Sequence, residues 1–114
     1  MKKSPSLLVQ EIPYMRMLFE AASAPARRKR LLQYGSGKQI NAVSELVLNM
    51  LKNRVDIAPP QMARLRRYKT VLREIGKRKN SIKKRRQHLL NQSGSGFWKS
   101  LGNVCHCHLK QWKK

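Results

Sequence analysis

Acidic residues are scarce in this chain of 114 residues: aspartate and glutamate number 5, against 26 lysines and arginines. The formal net charge is +21, and the sequence pI is about 11.3. Active sites that use paired carboxylates for acid–base chemistry need more acids than this, so the composition argues against an enzyme and we predict no catalytic residues. Self-repulsion of so large a charge opposes compaction, which points to a polyanionic partner.

Long apolar runs and a cysteine framework are missing as well. No run approaches the about 20 residues that span a bilayer, so a membrane partner is not expected. The only two cysteines, Cys105 and Cys107, are too close together for a disulfide that would constrain the fold. The tract Cys105–His108 lacks the two separated ligand pairs of a structural zinc site, so we predict no metal and no cofactor.

Apolar residues recur at spacings of three and four, and no alternating strand pattern is present. The clearest helix is predicted over residues 38–53, after Ser36 as N-cap. A turn follows at Arg54–Pro59. Further helices are predicted over residues 13–22, between the candidate N-cap Ser23 and Gly35, over residues 60–75 up to Gly76, over residues 81–91 with Asn80–Ser81 as the cap and, weakly, over residues 97–109.

This pattern predicts an all-α fold, a small bundle of two to four short helices with flexible basic N- and C-terminal tails. The predicted parts are a basic arm with short helices (residues 1–36), a helical basic core domain (37–91), and a Gly/Ser joint with a short amphipathic tail (92–114). The 38–53 and 60–75 helices are the best candidates for a core. The residues expected to hold them together are Leu46, Met50, Leu65, Leu72 and Ile75.

Residues 64–88 concentrate the charge, with twelve cations against Glu74 alone, a net charge of +11 over 25 residues. On the 60–75 helix the cations lie opposite the apolar stripe. Over residues 77–86 they surround the helix, so we expect that segment to order on a polyanion. The predicted nucleic-acid-binding residues are Arg64, Arg66, Arg67, Lys69, Arg73, Lys77, Arg78, Lys79, Lys83, Lys84, Arg85 and Arg86.

Neutralised phosphates release condensed counterions, which drives binding that does not depend on base sequence. No helix-turn-helix, zinc-finger or RNA-recognition signature is present to supply base readout. Two alternatives stay open: an RNA-binding structural protein of ribosomal type, and a precursor whose 97–109 helix is membrane-active. Trp98 and Trp112 are expected either to contact a partner, by stacking on bases or by lying at a membrane interface, or to pack a tail helix, and His88 joins the binding surface.

Several short motifs occur in an order and spacing that resemble small basic proteins of Polinton (Maverick) elements and the related adintoviruses. The resemblance covers about residues 21–97. The motifs that carry it are Ala22-Ser23-Ala24-Pro25, Arg28-Lys29, Ala42-Val43-Ser44-Glu45, Leu48-Asn49-Met50-Leu51-Lys52, Val55, Ile57, Pro59, Gln61, Leu65-Arg66-Arg67-Tyr68-Lys69, Leu72-Arg73, Ser81-Ile82-Lys83-Lys84-Arg85-Arg86, Leu89-Leu90, Gln92 and Gly94-Ser95-Gly96-Phe97.

Such proteins are similar to the small arginine-rich late core protein of adenoviruses. The resemblance therefore implies a protein that binds and condenses double-stranded DNA in a virion core. It also implies assembly in the host nucleus, with capsid proteins as partners. The chain departs from these relatives after residue 98, where its short, polar and cationic tail replaces a longer, more apolar segment.

The resemblance also implies maturation by a viral cysteine protease that cuts before the second glycine of Gly-x-Gly. Two segments fit that preference, Gln92–Gly96 and Gln33–Gly37. The candidate cleavage points lie between Ser95 and Gly96 and between Ser36 and Gly37. Both segments have the composition of exposed linkers, in which a protease binds extended backbone.

Overall fold

The computed structural model of the protein describes residues 10–52, 59–92 and 95–112, the last eight of these by their backbone alone. This part of the chain is all-α and contains seven α-helices, which confirms the fold class, whereas the prediction of two to four helices is wrong. A 3-10 helix, Ala21–Ser23, follows the first helix. The helices are α1 (Ile12–Glu20), α2 (Pro25–Tyr34), α3 (Gly37–Leu51), α4 (Pro59–Arg66), α5 (Lys69–Gly76), α6 (Ile82–Leu90) and α7 (Ser95–Trp112).

Neutral side chains cap two of these helices where the sequence predicts it. Ser36 and Gln39 form a capping box at α3: the Gln39 backbone N–H donates to Ser36 Oγ at 3.1 Å, and the Ser36 N–H donates to Gln39 Oε1 at 2.8 Å. At α6 the Lys84 N–H donates to Ser81 Oγ at 3.1 Å. At α2 the predicted cap Ser23 is not used, because Ala24 is the N-cap and Pro25 the first helical residue.

The predicted 60–75 helix is divided in two by a turn at residues 67–68. The Tyr68 N–H donates to the carbonyl of Leu65, three residues back, at 2.9 Å, so the backbone tightens instead of continuing as an α-helix. The two halves then pack on different neighbours, α4 on α7 and α5 on α3. A straight helix would hold Leu65 and Leu72 on one face, and the turn lets each reach its own partner. Of the turn predicted at Arg54–Pro59, residues 54–58 lie outside the described residues, and Pro59 is the first residue of α4.

One hydrophobic core runs from Ile12 in α1 to Val104 in α7. The five residues expected to hold the helices together are all buried in it, and α3 packs closely against α5. Residues predicted to belong to the arm and the tail also contribute, with Met15 and Leu18 on one side and Trp98 and Leu101 on the other. The described parts of the arm and tail are therefore packed helices and not flexible tails.

Trp98 is the largest side chain in this core, and its exposed fraction is 0%. Its ring packs edge-to-face on Phe97, at 5.1 Å between centroids, and Phe97 packs in the same way on Tyr68 at 5.2 Å. The indole N–H donates to the Gln92 carbonyl at 2.6 Å. Of the two roles expected for Trp98, the structure supports packing, because a buried ring cannot stack on a base.

Replacing Trp98 by alanine tests whether α7 belongs to the core. We expect the W98A variant to lose about 3–5 kcal/mol in its free energy of unfolding, as large-to-small changes at buried aromatics do. Denaturant unfolding followed by circular dichroism measures it. The neighbouring exposed Lys99 is the control, since Lys99→Ala should change stability by less than about 0.5 kcal/mol. Equal stabilities for the two variants would contradict the packing of α7.

Candidate nucleic-acid interface

Ten of the twelve predicted nucleic-acid-binding residues have exposed side chains. They extend from α4 through α5 and the following turn into α6. On α5 the apolar residues Leu72 and Ile75 face the core, while Lys69 and Arg73 face solvent. We call these ten residues the basic surface: Arg64, Arg66, Arg67, Lys69, Arg73, Lys77, Arg78, Lys79, Lys83 and Lys84.

Glu74 is the one carboxylate beside the basic surface among residues 64–88. Lys77 Nζ donates to Glu74 Oε2 at 2.7 Å, which is the only ion pair among the described residues. The hydrogen bonds from Lys77 and Asn80 lower the pKa of Glu74. Asn80 also donates to the Glu74 carbonyl at 2.8 Å, so the carboxylate and the turn after α5 hold each other in place. The other nine cations of the basic surface form no ion pair with a carboxylate in residues 10–52, 59–92 or 95–104.

Arg85 does not belong to the basic surface. Its exposed fraction is 6%, and its Nε donates to the Asn80 carbonyl at 3.0 Å. Burial lowers the pKa of Arg85, and the charge of Arg78 lowers it further. The side chain lines a polar groove of about 370 Å³ between α3 and α6, where it fixes the loop before α6.

The Arg86 side chain is hydrogen-bonded to the C-terminal end of α2. Its Nη1 donates to the carbonyls of Leu32 at 2.8 Å and Gly35 at 2.6 Å. Tyr14 Oη donates to the neighbouring Leu31 carbonyl at 2.8 Å. Burial raises the pKa of Tyr14 to about 12, against a smaller lowering by Arg86, so the phenol remains a donor at neutral pH. We call this arrangement of Tyr14 and Arg86 the carbonyl cap; cations at a helix C-terminus also interact favourably with the helix dipole.

Helical spacing carries the signal that separates Arg85 and Arg86 from their neighbours. Arg85 lies three residues after Ile82 and four before Leu89, and Arg86 lies four after Ile82 and three before Leu89. Both arginines therefore share the apolar stripe of α6, whereas Lys83 and Lys84 lie on the other side. A charge count over residues 64–88 treats all four residues alike and therefore does not separate Arg85 and Arg86 from Lys83 and Lys84.

A second buried arginine, Arg28, lies outside the predicted set. Its exposed fraction is 3%, its Nη1 donates to the Ala22 carbonyl at 2.7 Å, and its guanidinium lies 5.3 Å from the centre of the Trp98 ring. Burial lowers its pKa. The sequence signal for its burial is its position four residues before Leu32, which places it on the apolar face of α2.

The remaining candidate residues are less informative. His88 is half-buried on α6, at the edge of the basic surface. The side chains of Cys105–His108 and Trp112 lie outside the described residues, and the described part of the chain holds no cluster of potential metal ligands. None of its helices combines the length and the apolar content needed to cross a membrane.

Neither candidate cleavage point lies in an open linker. Ser36 is the N-cap of α3 and Gly37 its first residue, and Gly35 is buried where an added Cβ would lie 2.6 Å from Tyr14 Oη. Ser95 and Gly96 form the first turn of α7, while residues 93 and 94 lie outside the described residues. A protease that binds extended backbone therefore needs local opening at both points.

Comparison of the chain with protein-family models, with curated proteins and with solved structures finds no match.

Replacing single cations on opposite faces of α6 tests the division between cations that hold the fold together and cations that are exposed at the surface. Arg86→Met should cost about 2 kcal/mol in stability, because charged hydrogen bonds to two carbonyls are lost, and should barely change affinity for DNA. Lys83→Met removes the same charge from solvent, so it should leave stability unchanged and weaken DNA binding. Thermal unfolding and a DNA-binding titration on both variants measure this; the reverse pattern would contradict the assignment.

The carbonyl cap should also control proteolysis at residues 35–37. We expect a broad-specificity protease, with products identified by mass spectrometry, to spare this segment in the native protein. It should cut there earlier in Arg86→Met, because the end of α2 frays. Lys83→Met, which leaves the cap intact, is the control. If the native protein, Arg86→Met and Lys83→Met are all cut at residues 35–37 at the same rate, the carbonyl cap does not protect this segment.

Proposed function

We propose that this protein is a non-enzymatic, sequence-tolerant DNA-binding protein that holds duplex DNA by its phosphates and condenses it. The observation that supports the proposal is the basic surface, in which ten exposed cations face solvent and, within the part of the chain that the structure describes, only Lys77 is paired with a carboxylate. Lysines and arginines in this state keep their charge available for phosphate oxygens. A net charge of +21 is enough to neutralise the phosphates of roughly 10 base pairs per copy.

The side chains suit phosphates in two ways. Arg64, Arg66 and Arg67 offer planar guanidinium groups that bind two phosphate oxygens at once, whereas Lys69 and Lys83 act as mobile point charges. These groups lie on three helices and the turns between them, so we expect them to contact phosphates at several points along the DNA backbone. Contacts of this type position a protein on DNA and carry no information about base sequence.

The proposal places the protein in a virion core, as the resemblance to Polinton and adintovirus proteins implies. Condensing a packaged genome requires neutralising phosphates in any sequence, which matches the chemistry of the basic surface. On this proposal the partners are duplex DNA and capsid proteins. Trimming by a viral cysteine protease would follow local opening at residues 36–37 or 95–96.

The dependence of DNA affinity on salt tests the proposal. We expect a dissociation constant of about micromolar or lower at low salt, and an affinity that falls linearly in a log–log plot between about 50 and 300 mM salt. The double variant Lys79→Gln/Lys84→Gln should reduce the slope by about 2, since each lost phosphate contact removes about 0.9. Fluorescence anisotropy with a labelled duplex measures both quantities.

A charge-matched control variant separates specific contacts from a general loss of charge. Lys38→Gln/Lys99→Gln removes two exposed cations outside the basic surface, so its slope should stay near that of the native protein. Salt-insensitive binding, or equal slopes for the two double variants, would contradict the proposed surface. A strong preference for structured RNA over duplex DNA of equal phosphate count would replace DNA by RNA as the partner.

A further inference from the structure

Two large apolar side chains stand out as exposed in the described part of the chain, and both line one groove. Tyr34, at the end of α2, has an exposed fraction of 82%, and Met17, on α1, one of 40%. The groove has a volume of about 470 Å³ and lies outside the basic surface. Exposed apolar groups gathered at one place and bordered by polar residues mark an interaction site more often than scattered ones do.

Two exposed arginines lead along α2 to the Tyr34 ring. Arg27 and Arg30 precede Tyr34 by seven and four residues, which places all three on one face of the helix, and all three line the groove. No carboxylate belongs to the groove lining among the described residues. The floor is formed by Leu31 and the buried phenol of Tyr14.

The carbonyl cap makes this end of α2 compatible with an anion. A free helix C-terminus presents carbonyl oxygens and a partial negative charge, which repel phosphate. Here the carbonyls of Leu31, Leu32 and Gly35 already accept hydrogen bonds from Tyr14 and Arg86. The helix end next to Tyr34 is thus covered by a phenol and a guanidinium.

We propose that this groove binds an unpaired nucleobase, stacked on Tyr34, with the adjoining phosphates held by Arg27 and Arg30. The inference rests on the proposed phosphate-binding function and extends it to single-stranded nucleic acid. Single-strand binding sites elsewhere combine the same two parts, a cationic track for the backbone and an exposed aromatic ring for a base. A base in duplex DNA is stacked on its neighbours and has no face free for Tyr34.

A nucleic acid fits the groove better than an acidic peptide does. Carboxylate side chains would pair with Arg27 and Arg30, but they would leave the flat Tyr34 ring without a partner. A nucleotide supplies the anion and the aromatic face in one unit. The groups that would bind both parts, Arg27, Arg30 and Tyr34, lie on one helix.

Two substitutions at Tyr34 separate stacking from general apolar contact. Tyr34→Leu keeps an apolar side chain and loses the ring, and Tyr34→Phe keeps the ring and loses the hydroxyl. Because Tyr34 is almost fully exposed, neither change should disturb folding, which circular dichroism checks. Binding is measured with a mixed-sequence single strand, with an abasic strand of equal phosphate count, and with a duplex.

We expect Tyr34→Leu to bind the single strand at least about fivefold more weakly than the native protein, and Tyr34→Phe to stay within about twofold. The abasic strand and the duplex should bind all three proteins equally. Equal binding of the single strand by native protein and Tyr34→Leu, while duplex binding stays strong and salt-dependent, would overturn this inference and leave the proposed function standing. If the native protein binds neither the duplex nor the single strand, the inference and the proposed function are both overturned. Binding of an acidic peptide that is lost in Tyr34→Leu, and that the single strand does not displace, would also overturn the inference, in favour of a protein partner.

Discussion

Among the described residues, backbone carbonyl oxygens accept hydrogen bonds from two buried arginines, Arg28 and Arg85, and from the half-buried Arg86. Arg28 donates to Ala22, Arg85 to Asn80, and Arg86 to Leu32 and Gly35. A buried guanidinium left without acceptors would cost several kcal/mol, and the chain has too few acids to pair it. Carbonyls at helix ends and turns offer acceptors without adding residues. Charged hydrogen bonds of this kind each contribute about 1.5–3 kcal/mol to stability.

This arrangement keeps the positive charge available outside the core. Because carbonyls are neutral groups, satisfying three arginines with them subtracts nothing from the net charge of +21. The side chains that cap helices by hydrogen bonds, those of Ser36, Gln39 and Ser81, are also neutral. No acid lies in the first turn of any described helix. Two described carboxylates lie near the basic surface: Glu74, which Lys77 and Asn80 engage, and Glu45 of α3, which lines a groove together with Arg78. A surface of this sign attracts polyanions over a Debye length and releases them as salt rises.

Local patterns predict the individual helices well and their packing poorly. The Ser36 cap, the end of α2 before Gly35 and the apolar stripe of α3 follow from short-range chemistry, and the structure confirms them. The division between α4 and α5 depends on which neighbours Leu65 and Leu72 meet, information that lies in distant parts of the chain. Trp98 was equally hard to place, since an aromatic residue next to a glycine-rich joint suits a tail or a core helix. The roles of Arg85 and Arg86 were within reach, because their spacing from Ile82 and Leu89 already puts them on the apolar face.

We propose that arginines in this chain divide into a set whose side chains are bound to backbone carbonyls and an exposed set that binds phosphate. Nitrogen-15 NMR of the arginine Nε–H groups during a titration with duplex DNA tests it most directly. The account predicts that signals of Arg64, Arg66, Arg67, Arg73 and Arg78 shift with added DNA while those of Arg28, Arg85 and Arg86 stay in place. Shifts of equal size in both sets, or none in the exposed set while DNA is bound, would contradict it.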